Sequence, residues 1–225
     1  MCGRFTLTVD PGQLQEAFPW VDIPDDFLPR YNIAPSQPVA VVPNDGNNKL
    51  DFFNWGLIPF WAKDPKIGSR LINARAETLA EKPSFRGSFK YKRCLVLADG
   101  FYEWRKEPGS KTKIPMFIHL KNMSPFAFAG LWDDWQSSDG SEIRTCTIIT
   151  TEPNEFMKPI HNRMPVILSP ESFDDWLKPG DHDPSLLQSF LQPYADEDMV
   201  AYPVSRAVNS PQNDSPECII AIPQD

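Results

Sequence analysis

The second residue of this 225-residue chain is a cysteine, and its position gives it a chemistry that the other cysteines lack. Methionine before a small residue is normally removed, which would leave a free α-amino group and a thiol on Cys2. A 1,2-aminothiol condenses with an aldehyde through its amine, and the thiol then closes on the imine carbon to give a thiazolidine. An α-amino group has a pKa of about 7.7–8.0, so a useful fraction is nucleophilic near neutral pH. The alternative is that Cys2 merely follows the initiator methionine and is buried.

Two further residues have the chemistry of proton transfer. Glu103 lies among aromatic residues in ADGFYEWRK, where burial would raise its pKa and suit it to acid–base work near neutral pH. An ion-paired glutamate on the surface of a strand is the alternative. His161, among cations in KPIHNRMP, is the best candidate for a general acid. We expect His119 to be a structural strand residue and His182 to be exposed in an acidic turn.

The segment LINARAE has residues suited to binding a sugar phosphate. Asn73 and Arg75 share one face if the segment is extended; an asparagine can orient a hydroxyl, and an arginine can bind a phosphate through two hydrogen bonds. Aromatic residues elsewhere in the chain could stack on unpaired bases, although at least half of them are expected to be core. They are Phe60, Trp61, Tyr102 and Trp104.

The net charge of −8 argues at first against a nucleic-acid partner, but the charge is unevenly distributed. From Lys63 to Lys113 there are 13 Lys and Arg against 6 Asp and Glu, whereas from Pro170 onward only two cations face 11 acidic residues. A basic middle in an acidic chain is typical of a phosphate-binding face. A solvated loop region would give the same pattern.

Other features restrict the class of protein. The remaining cysteines, Cys94, Cys146 and Cys218, form no CxxC pair and lie in apolar runs, so we expect buried strand residues and no zinc site. No apolar run is long enough to span a membrane, and the N-terminus does not resemble a signal peptide. These features predict a cytoplasmic protein, nucleoid-associated when it acts on DNA.

Short apolar or alternating runs predict many strands and few helices. The predicted strands lie near RFTLTV, QPVAVV, LDFFNW, CLVLAD, FYEWR, PMFIHL, FAFAGL, RTCTIIT, MPVIL, VAYPV and CIIAI. Helices are predicted at DPGQLQEAF, SPESFDDWL and DPSLLQSFL, with Asp10, Ser169 and Asp183 as N-caps. The pattern indicates an α+β fold: a single domain over residues 1–225, with a curved, barrel-like, mostly antiparallel sheet and a few peripheral helices.

Seven motifs along the chain resemble one known family. In order they are MCGRF, RYNIAPSQ, WGLIPFWAKD, LINARAET, ADGFYEW, IHNRMPVIL and PVSRAVN. Together they run from residue 1 to about residue 209 and are similar to the SRAP family, the SOS response-associated peptidases.

The resemblance implies covalent crosslinking to abasic sites in single-stranded DNA. By matched motif, it implies that Cys2 is the crosslinking residue and that Asn73, Glu103 and His161 complete the active site. It implies DNA contacts by Arg4, Arg75, Arg163 and Trp61, and structural support by Asn32. It calls for no metal or cofactor, and a monomer would suffice.

Two other functions remain open from the residues. Cys2 could be the nucleophile of a cysteine peptidase or a self-processing enzyme, with Glu103 and His161 assisting acyl transfer. The chain could also be a non-catalytic binder of single-stranded DNA in which Cys2 is incidental.

Overall fold

The computed structural model describes residues 2–107, 109, 112–137 and 139–223. The strands in these ranges are β1 (Phe5–Leu7), β2 (Arg30–Ile33), β3 (Pro38–Pro43), β4 (Asp51–Trp55), β5 (Asn73–Arg75), β6 (Arg93–Ala98), β7 (Gly100–Lys106), β8 (Lys113–Leu120), β9 (Phe126–Gln136), β10 (Glu142–Thr151), β11 (Met164–Pro165), β12 (Ile167–Leu168) and β13 (Met199–Pro203). The α-helices are α1 (Pro11–Ala17), α2 (Arg86–Tyr91), α3 (Phe173–Leu177) and α4 (Pro184–Ser189).

Five strands close into a barrel. β10 pairs with β4, β4 with β3, β3 with β6, β6 with β9, and β9 again with β10. Closure leaves these long strands without exposed edges. Of the five pairings only β10 with β4 is parallel, so the prediction of a barrel-like, mostly antiparallel sheet is confirmed. β5 and β11 add to β10, and β12 adds to β9.

A second sheet has the strand order β13-β8-β7-β1-β2. Its strand β1 packs on the barrel through Phe5, whose ring lies edge-on to Trp55 at 5.1 Å and to Phe128 at 5.8 Å. Both sheets share one buried apolar cluster. The fold thereby fixes the start of the chain against the barrel wall.

The helices are short and peripheral, as predicted. Asp10 caps α1 in a capping box with Gln13, and Asp183 accepts a hydrogen bond at the start of α4. Ser169 does not cap as predicted: a 3₁₀ turn at Pro170–Ser172 precedes α3, and Ser172 Oγ donates to Ser169 O.

The predicted strand CIIAI is wrong. Pro216–Ile219 form a 3₁₀ turn, and only one bridge, Val204 with Ala221, follows it. The tyrosine hydroxyls of Tyr102 and Tyr202 bond the carbonyls of this turn, so the backbone has partners without a neighbouring strand. Cys218 is therefore buried as expected but is not a strand residue.

Several short elements were not predicted, namely β2, β5 and α2. β5 has three residues and α2 has no side-chain N-cap, so neither has enough local pattern to be recognised. His119 lies buried in β8 and stacks on Phe117, in agreement with its predicted structural role.

Among the described residues, no helix has the length and apolar character needed to cross a membrane.

Candidate active site

Pairing of β1 with β7 brings the start of the chain to Glu103. Phe5 lies opposite Phe101, and Tyr102 N donates to Arg4 O at 2.9 Å, so the ladder continues beyond β1 towards Cys2. Cys2 is completely buried. Burial raises the pKa of its thiol, and the negative charge of Glu103 raises it further. The thiol is therefore neutral at physiological pH.

Asn73 fixes the backbone of Cys2. Parallel pairing of β5 with β10 sets Asn73 beside Ile148, and its Nδ2 donates to Cys2 O at 2.8 Å. Its Oδ1 is buried and has no hydrogen-bond partner among the described residues. A buried acceptor of this kind is uncommon and is available to a bound group.

Glu103 and His161 face each other. Glu103 Oε2 lies 3.8 Å from His161 Nε2, and Glu103 is only 2% exposed. Burial raises the pKa of Glu103 and lowers the pKa of His161. The alternative of a surface ion-paired glutamate does not hold, since the carboxylate lies inside the fold.

The backbone of the loop after β10 hydrogen-bonds to one ring nitrogen of His161. Its Nδ1 lies 3.1 Å from Arg163 N and 3.2 Å from Arg163 O. A backbone N–H can only donate, so the neutral tautomer with its proton on Nε2, towards Glu103, accepts from Arg163 N through Nδ1. The protonated imidazole can instead donate to Arg163 O. Both charge states of His161 thus have a partner at Nδ1.

Arg163 joins this loop to the turn after β5 and to β10. Its Nη1 and Nη2 donate to the two carboxylate oxygens of Glu77 at 2.6 and 2.9 Å, and Nη2 also donates to Thr150 O at 2.6 Å. Sequence reasoning missed Glu77. Its signal was its place in LINARAET, two residues after Arg75.

The guanidinium of Arg4 is bound within the protein. Its Nη1 donates to Asn32 Oδ1 at 2.7 Å and to Val208 O at 2.6 Å, and its guanidinium lies over the ring of Trp104 at 5.8 Å. Asn32 is buried and also holds the segment after Val208 through its side-chain amide. These contacts agree with the supporting role predicted for Asn32. Arg4 Nη2 also donates to Asn209 O at 3.5 Å, so both terminal nitrogens of Arg4 have protein acceptors.

The candidate DNA contacts differ in exposure. Arg75 is exposed at the end of β5, and Trp61 is 48% exposed beside Phe60. Trp61 borders a surface depression of about 360 Å³ that Lys63, Lys66 and Arg70 also line. Of the four aromatics named above, Tyr102 is core, bonded through its hydroxyl to Tyr31 O.

Only some of the described basic residues in the middle of the chain are exposed and unpaired cations. Arg93 is fully buried and donates to the carbonyls of Phe89, Lys90, Trp176 and Lys178. Lys92 pairs with Asp133 at 2.8 Å and Asp134 at 3.2 Å. These two cations serve the fold, because both tie neighbouring elements together.

Across the described part of the chain, no group of three or more His, Cys, Asp or Glu side chains is arranged to hold a metal ion.

Comparison with known proteins places the chain among relatives over its whole length. It is 55% identical to the abasic site processing protein YoqW of Bacillus subtilis, covering 97% of this chain and 99% of that protein. It is 31% identical to the abasic site processing protein HMCES of Xenopus tropicalis, covering 99% of this chain and 78% of that protein. A crystal structure of a protein from Bacteroides thetaiotaomicron superimposes with a TM-score of 0.87 at 30% identity, over 98% of this chain and all of that one. The profile of the SOS response associated peptidase (SRAP) family matches residues 1–211, and the chain therefore belongs to the SRAP family.

Proposed function

We propose that this protein captures abasic sites in single-stranded DNA covalently, through a thiazolidine formed by Cys2 after removal of Met1. The observation that carries the proposal is a series of contacts among residues from four separate segments. Asn73 Nδ2 donates to Cys2 O at 2.8 Å, the charge of Glu103 acts on the Cys2 thiol, and His161 Nε2 lies 3.8 Å from Glu103 Oε2. The names of its relatives, abasic site processing proteins, support the substrate class.

The reaction needs no redox partner. The Cys2 amine adds to C1′ of the open-chain sugar to give a carbinolamine, which loses water to give an imine. The thiol then adds across the C=N bond: sulfur bonds to C1′, and its proton passes to nitrogen. The product has no imine to promote β-elimination, so the strand stays intact.

Each neighbouring group has a task in this sequence. The imidazolium form of His161 can give its Nε2 proton to the ring oxygen while the anomeric hydroxyl loses its proton to solvent, which opens the hemiacetal. Glu103, whose pKa is raised by burial, can exchange protons with the carbinolamine. Asn73 holds the Cys2 carbonyl, and its Oδ1 can accept a hydrogen bond from the sugar hydroxyl or the amine.

The state of the thiol favours this route over a cysteine peptidase. A self-processing peptidase needs the thiolate while Met1 is still attached, whereas burial and Glu103 raise the pKa of the Cys2 thiol in that chain. In the proposed route the amine attacks first, and the thiol acts later at an adjacent imine, where its proximity replaces thiolate reactivity.

The proposed DNA contacts rest on charge and, for Arg75 and Trp61, on exposure. Arg75, Arg163 and Arg4 would contact phosphates, and Trp61 would lie against bases. Arginine–phosphate contacts contain no base information, so binding should weaken with salt and depend little on sequence. The reaction uses no metal or cofactor, a monomer suffices, and the protein would act in the cytoplasm at the nucleoid.

The test is a denaturing gel of Met1-processed protein mixed with a single-stranded oligonucleotide that has one abasic site. We expect a heat-stable shifted band without borohydride for the wild type and for Cys146→Ala, which removes an equally buried thiol, but none for Cys2→Ala. Absence of the band, with a free Cys2 verified by intact mass, would refute the proposal.

The other functions give different results. A self-processing peptidase would remove Met1 even in a host without methionine aminopeptidase. A non-catalytic binder would bind the oligonucleotide equally well as wild type and as Cys2→Ala, with no covalent product from either.

A further inference from the structure

Two arginines, Arg163 and Arg75, act on the Glu77 carboxylate. Glu77 belongs to the 3₁₀ turn Ala76–Thr78, directly after β5 and Arg75. Its carboxylate binds Arg163 through two hydrogen bonds of 2.6 and 2.9 Å. The Glu77 side chain is 43% exposed and that of Arg163 only 14%, so the carboxylate lies on the solvent side of the guanidinium.

The Glu77 carboxylate occupies the donors that a phosphate would use. A guanidinium binds carboxylate and phosphate with the same paired N–H groups. Arg163 offers Nη1 and Nη2 together to Glu77, while Nη2 also donates to Thr150 O. Burial alone would raise the pKa of Glu77, but the hydrogen bonds from Arg163 outweigh it and Arg75 adds to them, so that pKa lies below its usual value. Glu77 is therefore ionised wherever DNA is bound.

We propose that Glu77 is a specificity-determining residue that competes with DNA phosphate for Arg163 and so lowers the affinity of the protein for undamaged single strands. This inference rests on the DNA partner of the proposed function, but not on the crosslinking chemistry. When a phosphate binds, the exposed Glu77 side chain turns to solvent, and Thr150 O keeps Arg163 in place. An abasic strand is retained by its covalent bond, whereas an intact strand held only by ionic contacts dissociates.

The test measures equilibrium binding of the Met1-processed protein to an intact fluorescent oligonucleotide by anisotropy. Glu77→Gln keeps the shape and removes the charge. We expect it to tighten binding about fivefold at low salt and to steepen the slope of log K against log salt by about 0.7, the value of one more phosphate contact on a single strand. The matched control is Glu81→Gln, which removes the same charge from an exposed side chain four residues further on and should change affinity less than twofold.

Two further variants test the competition itself. In an Arg163→Gln background, Glu77→Gln should have no more effect than Glu81→Gln. Glu77→Asp keeps the charge but is one methylene too short to reach both nitrogens, and it should tighten binding by an intermediate amount. If Glu77→Gln fails to fold, as judged by thermal melting, Glu77→Asp provides the test with the same expected direction.

Weaker or unchanged binding by Glu77→Gln would overturn the inference and make the ion pair purely structural. Tightening equal to that of Glu81→Gln would also overturn it, because general repulsion would then suffice. The denaturing gel with abasic DNA is an independent experiment. Absence of its shifted band would refute the crosslinking proposal but would not affect the binding result for Glu77→Gln. Failure of the Glu77 prediction would likewise leave the crosslinking proposal intact.

Discussion

The side-chain amide of Asn73 donates to the backbone carbonyl of Cys2 at 2.8 Å, joining β5 to the start of the chain. This bond fixes the peptide that follows the proposed nucleophilic amine. We expect Asn73→Ala to slow crosslinking about tenfold or more, since loss of orientation raises the barrier by at least about 1.4 kcal/mol. Binding of intact DNA should change little.

The measurement for Asn73 is a single-turnover gel time course, with anisotropy for binding. Asn54→Ala, an exposed asparagine on β4, is the matched control and should react at the wild-type rate. Equal losses of binding and crosslinking in Asn73→Ala would instead assign this residue to DNA affinity.

Glu103 links reactivity to stability. Burial raises its pKa in the folded chain, so its contribution favours folding below the unfolded-state pKa of about 4.3 and is lost as pH rises through the folded-state value. We expect the free energy of unfolding of Glu103→Gln to increase relative to that of the wild type as pH rises from the unfolded-state to the folded-state pKa of Glu103. We also expect this variant to crosslink about 100-fold more slowly. Denaturant titrations from pH 4 to 8 measure the first effect. Glu107→Gln, exposed beyond the end of β7, is the control and should show neither.

His161 should act on ring opening. Burial lowers its pKa, so the rate of capture should change with pH around a pKa below the ordinary histidine value of about 6.5. His161→Gln should remove this pH dependence. The variant should capture a ring-closed abasic site about 100-fold more slowly but an acyclic aldehyde at nearly the wild-type rate. Equal slowing with both substrates would place His161 at another step.

Substitution of Arg93 tests whether a buried cation of the basic region stabilises the folded state. Arg93→Met would leave four helix-end and loop carbonyls without a donor, and we expect a loss of about 2–4 kcal/mol in the free energy of unfolding. Arg86→Met removes the same charge from an exposed position in α2 and should cost less than about 0.5 kcal/mol. Urea titrations measure both. Similar small losses would show that the buried guanidinium contributes little.

Arg75 should contact phosphate. It is exposed beside Asn73, and Arg75→Gln should weaken binding of any single strand and lower the salt slope by about 0.7. Lys121→Gln, at the far end of β8, is the control and should leave the slope unchanged. An unchanged slope in Arg75→Gln would exclude a phosphate contact.

The sequence by itself determined the long strands and the chemistry-bearing residues. Runs such as RTCTIIT and FAFAGL have enough apolar residues to predict strands, and Asp10 and Asp183 begin helices through local bonds that need no distant partner. The aminothiol of Cys2 and the candidate acids were likewise evident from residue type and position.

Only the tertiary structure decided how these residues meet. Asn73 reaches Cys2 because β5 pairs with β10, a contact between segments more than 70 residues apart that no local pattern contains. The same pairing turns Glu77 towards Arg163, and burial alone separates Arg93 from the exposed arginines of the same charged region. Sequence sets what each side chain can do; burial and long-range pairing set its pKa, its partners and whether solvent or DNA can reach it.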